Sequence, residues 1–281
     1  MRLFSYVLML VLLGGAFTLS ACSSDDNGED QPNISSRDQQ PVEELYNKAA
    51  NSLDDRRYAQ ASREFEEVER QHPYSQWATK AQLMSAFAAY KDKSYDEAVL
   101  ALDRFIQLHP GNEDIDYAYY LRALSFYEQI SDVARDQMMT ELALDSLETL
   151  ITRFPDSRYA RDATLKRDLT LDHLAGKEME IGRYYLARGH VNASINRFRS
   201  VVKDYQTTTH VPEALHRLVE AYLILGLKAE ATRVASVLGY NYPGSKWYED
   251  SFNILDPELR EQLMDDRSFV DKTVDSLFRP D

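Results

Sequence analysis

The chain has 281 residues, and its 46 Asp and Glu against 32 Lys and Arg give a formal net charge of −14 at pH 7. This acidic balance, with no basic stripe, makes nucleic acid a poor partner. Only 10 glycines and 9 prolines interrupt the chain, so its composition favours helices. A single cysteine excludes a disulfide framework.

The N-terminus has the pattern of a secretory signal: Arg2, a mostly apolar stretch over residues 3–17, and then small residues. The run Leu19-Ser20-Ala21-Cys22 resembles the lipobox at which bacterial lipoprotein precursors are cut. We therefore expect residues 1–21 to be a lipoprotein signal peptide and Cys22 to carry lipid. A plain cleaved signal that leaves a free thiol is the alternative. A transmembrane helix would need about 20 apolar residues.

The residues after the lipobox predict where the protein is held and how. In lipoproteins of this class, an Asp directly after the cysteine tends to retain the protein at the inner membrane. Ser23 follows Cys22 here, which favours the periplasmic face of the outer membrane. Residues 22–41 lack apolar periodicity and are rich in Ser, Asp, Asn and Gln. They predict a flexible linker between the lipid and the first domain.

From residue 42 onward, one template recurs. It consists of a small residue, apolar residues four and seven positions later, and a proline twelve positions later. Offsets of zero, four and seven lie on one face of a helix. Gln206 replaces the proline in one copy. The five copies are Ala61-Phe65-Val68, Ala98-Leu102-Phe105, Ala143-Leu147-Leu150, Ser194-Phe198-Val201 and Ala231-Ala235-Leu238.

Each proline position is predicted to end one helix, and a cap-type residue two positions later is predicted to start the next. These residues are Ser75, Asn112, Ser157, Thr208 and Ser245. The copies are 37, 45, 51 and 37 residues apart. They resemble the tetratricopeptide repeat, whose unit is about 34 residues. The longer units predict a loop over 129–137 and a long helix over 159–186, bent near Gly176 or Gly182.

The sequence therefore predicts an all-α fold, a right-handed α-solenoid of about five tetratricopeptide-like helix-turn-helix repeats over residues 42–245. Residues 246–281 are expected to form C-terminal capping helices and a tail. No zinc-type spacing, phosphate loop or nucleophile elbow is present. We expect no enzyme activity, no metal and no cofactor, because solenoids bind partners on their concave surfaces.

Several segments are similar to one family of such lipoproteins. They are Asp103–Ile106 with Pro110, Ile115–Leu124, Phe154–Tyr159, Asp162-Ala163, Ala187–Gly189, and Asn196-Arg197 before Asp204-Tyr205. Their order resembles the BamD family, the lipoprotein subunits of the outer-membrane β-barrel assembly complex, over roughly residues 42–243. The chain departs from the family at Gln206 and in its acidic tail after Ser245, whose role stays open.

The resemblance implies a scaffold that helps barrel proteins insert into the outer membrane alongside other assembly lipoproteins. The C-terminal repeats of the family dock on the periplasmic POTRA domain of BamA nearest its barrel. Asn196 and Arg197 match the contact region. A salt bridge within the solenoid is the alternative role for Arg197. A generic periplasmic tetratricopeptide adaptor lipoprotein, for envelope growth or pilus assembly, is the alternative function.

The resemblance also implies that the N-terminal repeats receive C-terminal segments of unfolded outer-membrane proteins. Aromatic residues are dense on the first helices of repeats two and three, where extended peptides with aromatic ends would find stacking surfaces. The expected groove residues are Trp77, Phe87, Tyr90, Tyr117, Tyr119, Tyr120 and Arg122. The alternative is that the rings fill gaps between helices and that Arg122 pairs with Asp116 across the repeat junction.

Overall fold

Helices follow one another along the chain in the computed structural model, which describes residues 40–259 and residue 261. The described part contains eleven helices: α1 (Val42–Asp54), α2 (Tyr58–Gln71), α3 (Gln76–Lys91), α4 (Tyr95–Leu108), α5 (Ile115–Tyr127), α6 (Met138–Arg153), α7 (Ala160–Ala187), α8 (Val191–Asp204), α9 (Val211–Ile224), α10 (Lys228–Asn241) and α11 (Lys246–Ile254). A helical turn over residues 257–259 follows. The predictions for residues 1–21, Cys22, nearly all of the linker and the tail beyond 261 lie outside the described residues.

The repeat template marks the core of the solenoid. Each helix packs against the next one along the chain, and α11 packs against both α9 and α10. All fifteen template positions are at most 1% exposed, from Ala61 in α2 to Leu238 in α10. The prediction of an all-α solenoid of tetratricopeptide-like repeats is confirmed.

The second helix of each repeat ends on the aromatic or His residue that precedes the proline position. At His72, His109, Phe154, Tyr205 and Tyr242, φ lies between −127° and −135° and ψ between 44° and 59°. A following proline disfavours the helical region for the residue before it. Tyr205 has the same backbone although Gln206 follows. The side chain of Gln206 donates a hydrogen bond to the Lys203 carbonyl, which the end of α8 leaves free.

The prediction that five cap-type residues start the next helices is wrong at three positions. Only Ser75 and Ser245 are N-caps, and each accepts a hydrogen bond from the amide three residues later. After Asn112, Ser157 and Thr208, the helix begins three residues later. These three side chains bond within the turn instead, to backbone groups two or three residues away. Short polar side chains commonly stabilise turns in this way.

The two insertions form where the repeat spacing places them. Residues 128–137 connect α5 to α6 without a helix, and α7 runs unbroken for 28 residues. Gly182 of α7 allows a close approach between helices, because a Cβ there would lie 2.4 Å from the ring of Phe198 in α8. The glycine therefore serves helix packing.

Candidate functional site

A groove of about 800 Å³ lies along the first helices of repeats two and three and the turn into repeat four. Its wall carries aromatic rings together with charges of both signs. The lining residues are Gln76, Trp77, Thr79, Lys80, Leu83, Met84, Phe105, Asn112, Glu113, Asp114, Tyr117, Arg158 and Tyr159. Trp77 and Tyr117 are the two expected groove residues that line it.

Trp77 is held in the groove wall by the apolar cluster of the first repeat. Its ring lies 4.7 Å from the ring of Tyr46, and Tyr46 packs edge-on against the buried Phe65 at 5.3 Å. Lys80, one turn further along α3, places its ammonium 5.6 Å from the centroid of the Tyr46 ring. These contacts fix an indole beside a cation at the N-terminal end of the groove.

A row of tyrosines forms the opposite wall. The ring centroid of Tyr159 lies 5.3 Å from that of Tyr117, and Tyr159 stacks on Tyr120 at 4.7 Å with an interplanar angle of 16°. The Tyr120 hydroxyl donates a 2.6 Å hydrogen bond to Asp162. Tyr120 therefore supports a groove residue from behind.

Two phenols of this row, those of Tyr117 and Tyr120, are held neutral. Burial raises the pKa of Tyr117 to about 12. Burial and the hydrogen bond to Asp162 both raise the pKa of Tyr120. The same hydrogen bond holds the pKa of the Asp162 carboxyl below its usual range. At neutral pH the hydroxyl groups of Tyr117 and Tyr120 are therefore neutral.

Five of the expected groove residues lie outside its lining. One of them, Tyr119, packs on Phe154 with their ring centroids 5.3 Å apart. Phe87 and Tyr90 pack, partly buried, on the apolar cluster formed by α3, α4 and α5. Burial, with the nearby Glu128, raises the pKa of Tyr90 to about 12. Tyr120 lies behind Tyr159, and Arg122 lies among α4, α5 and α6. Any contact of these residues with a peptide stays a prediction.

The suggested pairing of Arg122 with Asp116 is wrong. Nε of Arg122 donates to Asp103 at 2.6 Å, and Nη1 donates to the Ser146 hydroxyl at 2.9 Å. Asp116 instead accepts a 2.6 Å hydrogen bond from Ser157 in the turn that precedes α7. The two positions lie six residues apart on α5, so their side chains point in different directions.

Sequence reasoning missed the charged rim of the groove and Tyr159. Arg158 and Tyr159 lie in the turn before α7, and the Arg158 guanidinium lies 4.8 Å from the Tyr159 ring centroid. A search for aromatic residues on the first helices passes over such turns. The useful signal is that a turn between two repeats leads into a first helix. Its residues therefore reach the face that the first helices form.

A second candidate surface lies on α8, where Asn196 is exposed and the Arg197 side chain is 43% exposed. Nη1 of Arg197 donates to both carboxylate oxygens of Glu178 on α7, at 3.1 and 3.2 Å. The salt bridge within the solenoid is therefore present. The next residue, Phe198, is fully buried, which fixes the position of Arg197 on the helix.

Polar clusters elsewhere join helices to one another. Nδ1 of His216 lies 2.8 Å from the Ser251 hydroxyl, and its Nε2 lies 3.5 Å from Glu220. Ser251 is fully buried, so this cluster connects α9 to α11 and offers no access to a substrate. Residues 40–259 and 261 hold no group of three His, Cys, Asp or Glu suited to a metal ion. None of their helices is long and apolar enough to cross a membrane.

The stacked helix pairs define a helical-repeat solenoid, a class of proteins that commonly bind partners on extended surfaces. The YfiO family, described as outer membrane lipoprotein, matches residues 38–238 of the chain. The outer membrane protein assembly factor BamD of Caulobacter vibrioides is 51% identical over 218 residues, covering 78% of this chain and 72% of that protein.

Two further BamD proteins support the same assignment. The protein of Rickettsia prowazekii is 51% identical over 215 residues, covering 76% of this chain and 86% of its own length. That of Neisseria meningitidis serogroup A is 36% identical over 249 residues, covering 85% and 92%. The chain belongs to the BamD family of outer membrane protein assembly factors. The predicted family and the predicted location, an outer membrane lipoprotein, are confirmed.

Proposed function

We propose that the chain takes part in outer membrane protein assembly as a non-enzymatic scaffold with two separate binding surfaces. The groove at repeats two and three would receive substrate, and the charged face of α8 would dock on a BamA-like POTRA-barrel protein. One observation carries this proposal: aromatic rings and charges from three successive repeats line a single groove in a family of assembly factors. Extended peptides with aromatic ends fit such a surface.

The docking proposal rests on Asn196 and Arg197. An Arg guanidinium suits a carboxylate because its planar fork binds both oxygens. We expect Arg197→Glu to abolish co-purification of the protein with BamA. Arg183→Glu is the matched control, since Arg183 is 42% exposed and also pairs with a Glu through Nη1. Retention of BamA by Arg197→Glu would remove the docking claim.

The substrate proposal concerns C-terminal segments of unfolded outer-membrane proteins. A photo-crosslinking residue at position 117 should capture a barrel C-terminal peptide, because Tyr117 lines the groove. Position 120 should capture less, since Tyr120 stacks behind Tyr159. Position 184 is the control, on an exposed tyrosine of α7. Equal yields at positions 117 and 184 would contradict a specific groove.

In the anchor proposal, Cys22 carries the lipid and residues 22–41 form a linker. Residues 42–245 form the repeat domain, and residues 246–281 form the C-terminal capping helices and tail. A tether raises the local concentration of the scaffold near membrane-bound partners. Cys22→Ala should move the protein from the membrane to the soluble fraction while its circular dichroism stays unchanged. Affinity purification with mass analysis would identify the other assembly lipoproteins that accompany it.

A further inference from the structure

The ion pair at Arg197 uses only one side of the guanidinium. Both hydrogen bonds to Glu178 come from Nη1, although a guanidinium carries five N–H donors. Within residues 40–259, Nε and Nη2 of Arg197 make no hydrogen bond to the protein. The Nε–Nη2 edge, which presents two parallel N–H groups to a carboxylate, is therefore available.

Two arginines of the solenoid, Arg122 and Arg217, use more of their donors. Arg122 donates from Nε to Asp103 and from Nη1 to Ser146, so it joins three helices and is only 25% exposed. Arg217 pairs with both Glu213 and Glu220 on its own helix. In Arg197, as in Arg183, one partner holds one nitrogen of a half-exposed side chain.

Both members of the Arg197–Glu178 pair stand on fixed backbone. Met179 and Phe198 follow Glu178 and Arg197 directly, and both are fully buried in the same apolar cluster. The Glu178 side chain is only 19% exposed, whereas that of Arg197 is 43% exposed. The less exposed carboxylate is thus the stationary partner, and the guanidinium is the group that it orients.

We infer that Glu178 is a positioning residue of the docking face, which holds Arg197 by Nη1 so that its Nε–Nη2 edge receives a carboxylate of the POTRA partner. This inference rests on the proposed docking through Arg197. An arginine side chain that has no partner loses rotamer freedom when it binds. A side chain that an ion pair already holds in place loses less. Glu178 contributes through Arg197 and needs no contact with the partner.

Glu178 has an opposing effect, because its negative charge repels an incoming carboxylate. Two substitutions separate the effects. Glu178→Gln keeps an oxygen that accepts from Nη1 and removes the charge, so we expect binding equal to or tighter than that of the unmodified protein. Glu178→Ala removes the acceptor as well, and we expect about threefold to tenfold weaker binding from the cost of ordering one long side chain.

The test is calorimetric titration of the full lipidated protein in detergent with the purified POTRA segment of BamA from the same bacterium. Arg197→Ala should abolish most of the binding, and Glu178→Ala should add no further loss in that background. Glu213→Ala, which removes the acceptor of Arg183 and one of the two partners of Arg217, is the matched control and should bind normally. Circular dichroism checks that each variant is folded.

The outcomes distinguish the inference from the proposal beneath it. Normal binding by Arg197→Ala would overturn the proposed docking, and the positioning role with it. If Arg197→Ala weakens binding but Glu178→Ala binds equally well or more tightly, only the positioning role is overturned. It is also overturned if Glu178→Ala weakens binding equally with and without Arg197, or if Glu178→Gln is as weak as Glu178→Ala.

Discussion

The two ends of the solenoid divide their apolar core differently. From Ala175 to Leu259, twenty buried residues form one continuous cluster. The repeats before it hold three smaller clusters of eight, six and four buried residues. Polar contacts, such as Ser62 with Ser85 and Tyr120 with Asp162, lie between helices of this N-terminal part. The aromatic groove lies beside the divided N-terminal clusters, whereas Arg197 stands next to a residue of the continuous C-terminal cluster.

The largest expected effect is loss of the ring at the centre of the C-terminal cluster. Phe198 is fully buried against α7 and its neighbours. Phe198→Ala should lower the free energy of unfolding by about 3–5 kcal/mol, through lost transfer energy and the cavity left behind. Urea denaturation followed by circular dichroism measures this loss.

Phe65→Ala is the counterpart in the N-terminal part. Phe65 is also fully buried, but its cluster contains only residues from α1, α2 and α3. Because repeats contact only their neighbours, its effect should remain local. Hydrogen exchange should accelerate in α1 to α3 for Phe65→Ala and from α7 onward for Phe198→Ala. Equal acceleration throughout the chain in both variants would show that the two cores unfold as one.

The next effect concerns the close approach of α7 and α8. A Cβ on Gly182 would lie 2.4 Å from the Phe198 ring, which is itself enclosed by the cluster. Gly182→Ala should therefore destabilise the protein by about 1–3 kcal/mol, as overpacking does. Thermal unfolding measures the change.

Gly176→Ala is the matched control on the same helix. A Cβ there would lie 3.2 Å from Nε2 of His210, near the end of a side chain that is able to shift. Alanine is favoured over glycine inside a helix by about 0.5–1 kcal/mol. Gly176→Ala should thus be neutral or slightly stabilising. A similar loss of stability in Gly176→Ala and Gly182→Ala would show that the backbone of α7, and not contact with Phe198, causes the loss.

The repeat core was predictable from sequence because its period is local. Ala, Phe and Val at offsets of zero, four and seven must share one helix face, as Ala61, Phe65 and Val68 do. The groove was predictable only in part, because it depends on where turns from different repeats meet. Trp77 and Tyr117 were predicted to line the groove, and both do. Arg158 also lines it but was not predicted, because it lies in a turn between repeats.

Partner choice among side chains was the least predictable feature. Arg122 had several acidic residues within sequence reach, and the packing of three helices selected Asp103 over Asp116. The start of a helix was similarly uncertain. Ser75 caps α3 directly, whereas Ser157 bonds within a turn and leaves α7 to begin three residues later. Small differences in turn conformation decide between these outcomes.

A smaller effect is expected behind the groove wall. Tyr120→Phe removes the 2.6 Å hydrogen bond to Asp162 and should cost about 1 kcal/mol, since the acceptor is charged but half exposed. The hydrogen bond lowers the pKa of Asp162 in the folded state. Its contribution is therefore present above the unfolded pKa of about 3.9 and is lost as pH falls through the folded value.

Urea denaturation of both proteins at pH 7 and at pH 3 or below tests this dependence. The difference between Tyr120→Phe and the unmodified protein should shrink in acid. Tyr119→Phe is a control, because Tyr119 interacts with Arg153 and not with a carboxylate. A difference that is unchanged in acid would assign the loss to ring packing on Tyr159.

The smallest expected effect on stability is at the residue proposed to matter most for docking. Arg197→Ala breaks a half-exposed ion pair, and such pairs contribute about 0.2–1 kcal/mol. Thermal unfolding should therefore change little while binding of the POTRA segment is lost. The neighbouring Phe198 carries the packing energy and Arg197 carries the exposed donors, so adjacent positions should separate stability from recognition. A loss of stability comparable to that of Phe198→Ala would mean that the Arg197 side chain supports the fold, and its binding defect would then follow from unfolding.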